Sequence, residues 1–263
     1  EDTWTRRVID DHALAGVNGV HALLVADVNR DGKPDLIANS AEDKGAWPKS
    51  LAWFEAPDWT RRIFALGDAP GLSHYLGFGD VNGDDRSDIA SAAKIGPEGN
   101  WFAWWEAPRD PRARWTKHII ATGHEGASNI AVADVNGDGK PDFVATRGHG
   151  KGVLWFEAPS WTVHDIDGAH QYPHSLATAD LDRDGDVDAA ACSAVYGTVP
   201  EHPVLAWFEN DGRGRFTTHR ISDNQAAYDV KLVDMDRDGD LDVLVAGQES
   251  RNVIWYENRL RRR

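Results

Sequence analysis

A nine-residue acidic segment recurs five times along the chain, and no other feature of the sequence constrains the fold as tightly. It reads DVNRDGKPD at 27–35, DVNGDDRSD at 80–88, DVNGDGKPD at 134–142, DLDRDGDVD at 180–188 and DMDRDGDLD at 234–242. The starts lie 53, 54, 46 and 54 residues apart. Two further blocks keep step with it. An aromatic block follows each acidic segment: LAWFEAP around Trp53, AWWEAP around Trp104, VLWFEAP around Trp155, LAWFEND around Trp207 and VIWYEN around Trp255. A third block reads WTRRVI from Trp4, WTRRIF from Trp59, WTKHII from Trp115, WTVHDI from Trp161 and FTTHRI from Phe216.

Each unit reads as four short strands. The first precedes the acidic segment and the second follows it; the aromatic block is the third and the WT block the fourth. Apolar runs bounded by Gly, Pro and Asp support strands, and no stretch keeps a helical period. Four-stranded units of this length, repeated in a row, predict a propeller. The expectation is an all-β, five-bladed β-propeller forming one domain over residues 1–263. The chain opens on a fourth-strand block and ends on a third. The N-terminal strand is therefore expected to complete the last blade and close the ring without a free edge.

The acidic segments follow D-x-[DN]-x-D-G-x-x-D, which sets side-chain oxygens at positions 1, 3, 5 and 9. The candidate ligands are Asp27, Asn29, Asp31 and Asp35; Asp80, Asn82, Asp84 and Asp88; Asp134, Asn136, Asp138 and Asp142; Asp180, Asp182, Asp184 and Asp188; and Asp234, Asp236, Asp238 and Asp242. Hard oxygen donors around one point suit Ca²⁺ better than Zn²⁺. Glycine at position 6 permits a turn with positive φ, and Asp85 takes that slot in the second loop. An EF-hand would need Glu at position 12, where Ala38, Ser91, Ala145, Ala191 and Val245 stand. Up to five calcium ions are expected, mainly structural.

The net charge is −15, from 43 acids against 28 bases, and the five loops alone hold 20 of the acids and 6 of the bases. The acidity thus marks metal loops more than a general surface; it argues against nucleic acid as a partner. No run of apolar residues is long enough for a membrane helix. A single cysteine, Cys192, excludes an internal disulfide.

With these loops and the WFEN-like strand after each, the chain resembles the FG-GAP or VCBS repeat family from Trp4 to Asn258. The resemblance implies the propeller fold and calcium in the loops. Members include adhesion heads, lectin-like modules, polysaccharide lyases and aldos-2-ulose dehydratase-like enzymes, so it leaves the activity open.

Function is sought where the blades differ. The loop joining strands one and two has constant length, whereas the opposite rim varies. Of eleven histidines, His118, His164 and His219 share a fourth-strand slot and read as structural, while the other eight fall on the variable rim. Six residues before the acidic loops stand His21, His74, Ser128, His174 and Tyr228, at the axial end of each innermost strand. Such a ring supplies general acids and bases, or ligands for a second metal at the axial His cluster; otherwise it plugs the channel. Catalytic candidates are His21, His74, His174, Tyr228, Arg147, His149 and His170. Substrate-binding candidates are Tyr172, Lys44, Lys49 and Arg251, with Trp47 and Trp101 as indoles that stack on a sugar or cap a blade edge.

Two readings remain open. One is a carbohydrate-active enzyme of lyase or dehydratase type, which needs a base beside a carbonyl or carboxylate and a cation or donor for the developing enolate. The alternative is a non-catalytic glycan- or protein-binding propeller. The ligand is expected to be a carbohydrate or other small molecule, and the protein a secreted, periplasmic or cell-surface monomer.

Overall fold

The computed structural model describes residues 4–9, 20–40, 48–195 and 204–260. Among the described residues nineteen strands form five antiparallel sheets, and there is no helix. Blade one is β1 (Val20–Ala26), β2 (Asp35–Ser40), β3 (Leu51–Glu55) and β4 (Thr60–Ala65). Blade two is β5 (Ser73–Gly79), β6 (Asp88–Ala93), β7 (Trp101–Glu106) and β8 (Thr116–Thr122). Blade three is β9 (Asn129–Ala133), β10 (Asp142–Thr146), β11 (Lys151–Glu157) and β12 (Thr162–Gln171). Blade four is β13 (Pro173–Ala179), β14 (Asp188–Ser193), β15 (Leu205–Asn210) and β16 (Phe216–Ser222). Blade five has three strands, β17 (Asp229–Val233), β18 (Asp242–Ala246) and β19 (Val253–Tyr256). The strands follow chain order within every sheet, and the sheets are arranged as a β-propeller.

The sequence explains this layering. Second strands such as DIASAA and DAAACS are small, apolar and buried throughout, because a neighbouring blade covers each face. Third strands alternate large side chains that reach both neighbours. Trp53 and Leu51 join Trp101, Trp105 and Ile89 between blades one and two. Equivalent clusters lie between blades two and three, three and four, and four and five. Each fully buried tryptophan removes about 150–250 Å² from water, worth about 4–6 kcal/mol before the entropy of ordering. Fourth strands are half-exposed and carry a repeated polar stack. His118 lies on Trp104, His164 on Trp155 and His219 on Trp207, with ring centroids 4.3 to 4.5 Å apart. Each imidazole Nε2 also reaches a glutamate of the third strand, at 2.6 to 2.9 Å. These three histidines are structural, as their shared slot implied.

The ring closure expected from the N-terminal block is not formed among the described residues. Residues 4–9 make no strand, and β19 keeps an unpaired edge. Ile9 packs instead on the flank of blade one, beside Ala38, Ala52 and Phe54. Five blades closed in a circle need five interfaces, and among the described residues four buried inter-blade clusters are formed. Trp255 shows the consequence: it is 39% exposed, whereas the equivalent Trp207 is 8% exposed.

Candidate functional site

The acidic loops are shaped by their own carboxylates. Position 6 has positive φ in all five, from 64° at Asp85 to 102° at Gly185. The position-1 carboxylate accepts the amide of position 6, as in Gly32 N to Asp27 Oδ2 at 2.8 Å. The position-3 oxygen accepts from position 5, and the position-5 oxygen from position 7. Position 9 has a job that the ligand pattern did not reveal. Asp35, Asp88, Asp142, Asp188 and Asp242 are fully buried. Each accepts one amide from the start of its own loop and one from the end of the third strand, as Asp142 does from Val135 (3.1 Å) and Ala158 (2.7 Å). The carboxylate therefore clamps loop to strand. Burial pushes the carboxyls of Asp88 and Asp188 up to about 6.

The loops fall into two kinds. In the first three, Lys33, Arg86 and Lys140 at position 7 fold onto Asp31, Asp84 and Asp138. In the last two, position 7 is Asp186 or Asp240, and positions 1, 3 and 9 bring one oxygen each within 4.8 Å of the others. Asp182 Oδ2 is buried there without a hydrogen-bond partner among the described residues. An all-oxygen donor set with an orphaned buried carboxylate oxygen fits a hard cation.

At the axis His21, His74, Ser128, His174 and Tyr228 come together. The His21 and His74 rings are 3.8 Å apart, as are those of His174 and Tyr228. His74 also approaches His149 and His174, at 5.0 and 4.9 Å. Ser128 Oγ lies 3.5 Å from His74 Nδ1. His149 joins from the turn between β10 and β11, its Nε2 lying 3.1 Å from His74 Nε2 and 3.2 Å from Lys94 Nζ. Strand alternation is broken at the mouth: the pairing of β5 with β6 shifts between Ser73 and Leu76. The bulge turns both His74 and Tyr75 inward, and the Tyr75 hydroxyl reaches 3.3 Å from His174 Nδ1. Asn39 fixes the neighbouring bulge, accepting from Ala22 N (2.8 Å) and donating to the His74 carbonyl (2.7 Å).

Burial dominates the electrostatics of this cluster. Burial first, with Lys94 among the further causes, holds His149 down to about 3 and His174 to about 4. His74 is lowered most, by burial and then by the surrounding imidazoles. His21 is lowered in the same sense, and burial raises the Tyr75 phenol. At neutral pH the four imidazoles are uncharged, with lone pairs available for ligation or hydrogen bonding.

A cleft of about 480 Å³ opens beside the cluster, lined by Glu125, Arg147, His149, Gly150, Lys151, Gln171 and Tyr172. Arg147 is half-buried, and its Nε has no hydrogen-bond partner among the described residues. Gly152, with φ 114°, leaves room for it: a Cβ there would stand 2.8 Å from the guanidinium. Lys151, Gln171 and Tyr75 were missed as site residues. Tyr75 was hidden by the bulge, whereas Lys151 and Gln171 flank Arg147 and Tyr172 across the β11–β12 pairing.

Trp101 is not an exposed indole. It is 4% exposed, donates to the Pro70 and Glu98 carbonyls and packs edge-on against Trp105, with Lys117 Nζ 4.3 Å above its ring. The reason is strand length: β7 begins at Trp101, so Trp101, Ala103 and Trp105 share the face turned to blade one. His170 lies outside the axial cluster. It is buried with Nε2 3.1 Å from Ser193 Oγ and lines a separate cavity of about 210 Å³ with Asp167 and Arg220. Burial pushes it down to about 4. Lys49 pairs with Glu98 at 2.9 Å, and Arg251 is exposed in the turn between β18 and β19. Trp47 and Lys44 lie outside the described residues.

These features define a class: an all-β repeat propeller with an aspartate loop on each blade and one asymmetric face. The chain matches the FG-GAP-like repeat over residues 80–145 and 194–259, just over half its length, and belongs to that family. No curated protein matches it. Among solved structures it is similar to the V. cholerae biofilm matrix protein Bap1, with 18% identity and a TM-score of 0.47. That match covers 92% of this chain and 37% of the other, so the chain spans little more than a third of that protein's length.

Proposed function

We propose that this chain is a calcium-braced propeller that binds an acidic carbohydrate in the cleft beside its axial mouth. The observation that carries this reading is Arg147, at the wall of that cleft, whose buried Nε lacks a hydrogen-bond partner among the described residues. A guanidinium presents a planar fork that matches a carboxylate, and a buried donor left unpaired costs about 1–3 kcal/mol until a ligand satisfies it. Lys151 adds positive charge, while Gln171 and the Tyr172 ring suit hydroxyls and a sugar face. Calcium in the loops leaves this face as the ligand-binding one. Millimolar calcium outside the cell agrees with a secreted, periplasmic or surface location, because extracellular modules bind it at about 10⁻⁴–10⁻³ M.

A second reading is elimination on the same sugar, favoured by His149 standing on the same wall as Arg147. The imidazole would take the C5 proton next to the uronate carboxylate, and the guanidinium would hold the enolate. The C4–O bond would break to leave a C4–C5 double bond, the departing oxygen taking up a proton from water. A base held near 3 is feeble at neutral pH, so binding takes precedence. Incubation of the calcium-loaded protein with uronic-acid polysaccharides and keto-sugars separates the two. Binding without the absorbance of unsaturated products is the expected result. Product formation would establish elimination, and neither binding nor product would sink both.

A further inference from the structure

His74, His149 and His174 each bring one ring nitrogen within 4.8 Å of the other two. The tightest pair, His74 Nε2 and His149 Nε2, is 3.1 Å apart. Two nitrogens bound to one tetrahedral ion at 2.0–2.1 Å stand about 3.3 Å apart, so this spacing is already close to that of two ligands of a single metal. The outer side of the cluster is arranged in the same sense. His174 Nδ1 lies 2.9 Å from the Tyr228 carbonyl oxygen, which can only accept, so Nδ1 carries the proton and the lone pair is on Nε2. His74 Nδ1 faces Ser128 Oγ, which leaves Nε2 turned to His149. Backbone or hydroxyl partners that orient imidazoles in this way are the usual support of a metal site.

We propose that His74, His149 and His174 form a three-imidazole site for a late first-row divalent cation of the zinc class. An all-nitrogen set selects such borderline cations over calcium, so this centre is chemically distinct from the oxygen-only loops. Three protein ligands leave one position of a tetrahedral ion for solvent or ligand. Lys94, whose Nζ is 3.2 Å from His149 Nε2, is the competing cation and must move aside when the metal enters. His149 lines both the cluster and the cleft, so the ion adds positive charge next to Arg147. The proposal does not rest on the carbohydrate reading and stands if no sugar binds.

The test is a Co²⁺ titration of the whole, tag-free chain in excess calcium, which fills the oxygen loops first. One equivalent of Co²⁺ is expected to give visible ligand-field bands, and Zn²⁺ is expected to displace it. His149→Ala, at the half-exposed rim, is expected to weaken binding at least about 100-fold with an unchanged circular dichroism spectrum. Lys94→Met, which removes the competing ammonium, is expected to tighten it. His118→Ala, remote from the cluster, is expected to leave it unchanged. No bands at one equivalent, or bands that persist in His149→Ala, would overturn the proposal. Should His74→Ala fail to fold, the rim variant and Lys94→Met still decide the matter.

Discussion

Replacing Asp142 by alanine is expected to destabilise the protein by about 2–5 kcal/mol, more than removal of any exposed acid in the loops. The side chain is fully buried and holds two backbone amides, Val135 N and Ala158 N, that have no access to water once the blade is folded. Alanine leaves both donors unsatisfied and opens a void between loop and strand, and each orphaned amide costs about 1–3 kcal/mol. Asn is not a remedy: its NH₂ group would face one of the two amides donor to donor. For a domain of this size the loss corresponds to a fall in melting temperature of roughly 5–15 °C. The comparison is best made in excess chelator, so that any role of Asp142 as a ligand is removed from both proteins. An Asp142→Ala midpoint within 1 °C of the parent under those conditions would contradict the clamp.

Chelation itself is expected to produce the second large effect. The last two loops hold five aspartates each and one basic residue each, Arg183 and Arg237. With no cation these carboxylates repel one another in a space of a few ångströms. A ligand at 100 times its dissociation constant stabilises the folded state by about 2.7 kcal/mol per site, so two such sites make a difference of roughly 10–20 °C. The first three loops are expected to respond less, because Lys33, Arg86 and Lys140 already lie on their position-5 carboxylates. Asp182→Ala combined with Asp236→Ala is therefore expected to remove most of the response in thermal melts. A melting curve indifferent to chelator in the parent protein would rule out calcium as a brace.

Most of the architecture was legible because it is written five times. Loop, aromatic block and WT block each fix a strand, and their common period fixes the blade. The last closure was not legible, because WTRRVI matches the fourth-strand block as sequence, while Ile9 finds its apolar partners on blade one. The axial ring could be read from register alone, since His21, His74, Ser128, His174 and Tyr228 hold equivalent positions. Tyr75 could not, because a bulge suspends the alternation that would have turned it away. For Trp101 the choice between sugar stacking and blade edge follows from a simpler count. Stepping back by twos from Trp105 reaches it through Ala103, on the face packed against blade one. The clamping role of the position-9 aspartates was hidden too, because the third-strand amides they hold lie 16 to 22 residues away along the chain.

The central claim, that Arg147 makes the cleft a site for acidic sugars, is most directly tested by calorimetry with a uronate oligosaccharide and its neutral counterpart. The parent protein is expected to bind the uronate and to discriminate against the neutral sugar. Arg147→Ala is expected to lose at least about 30-fold in affinity for the uronate alone, the loss of a charge-assisted pair of about 2 kcal/mol. Equal binding of both sugars by the parent, or undiminished uronate binding by Arg147→Ala, would contradict the account.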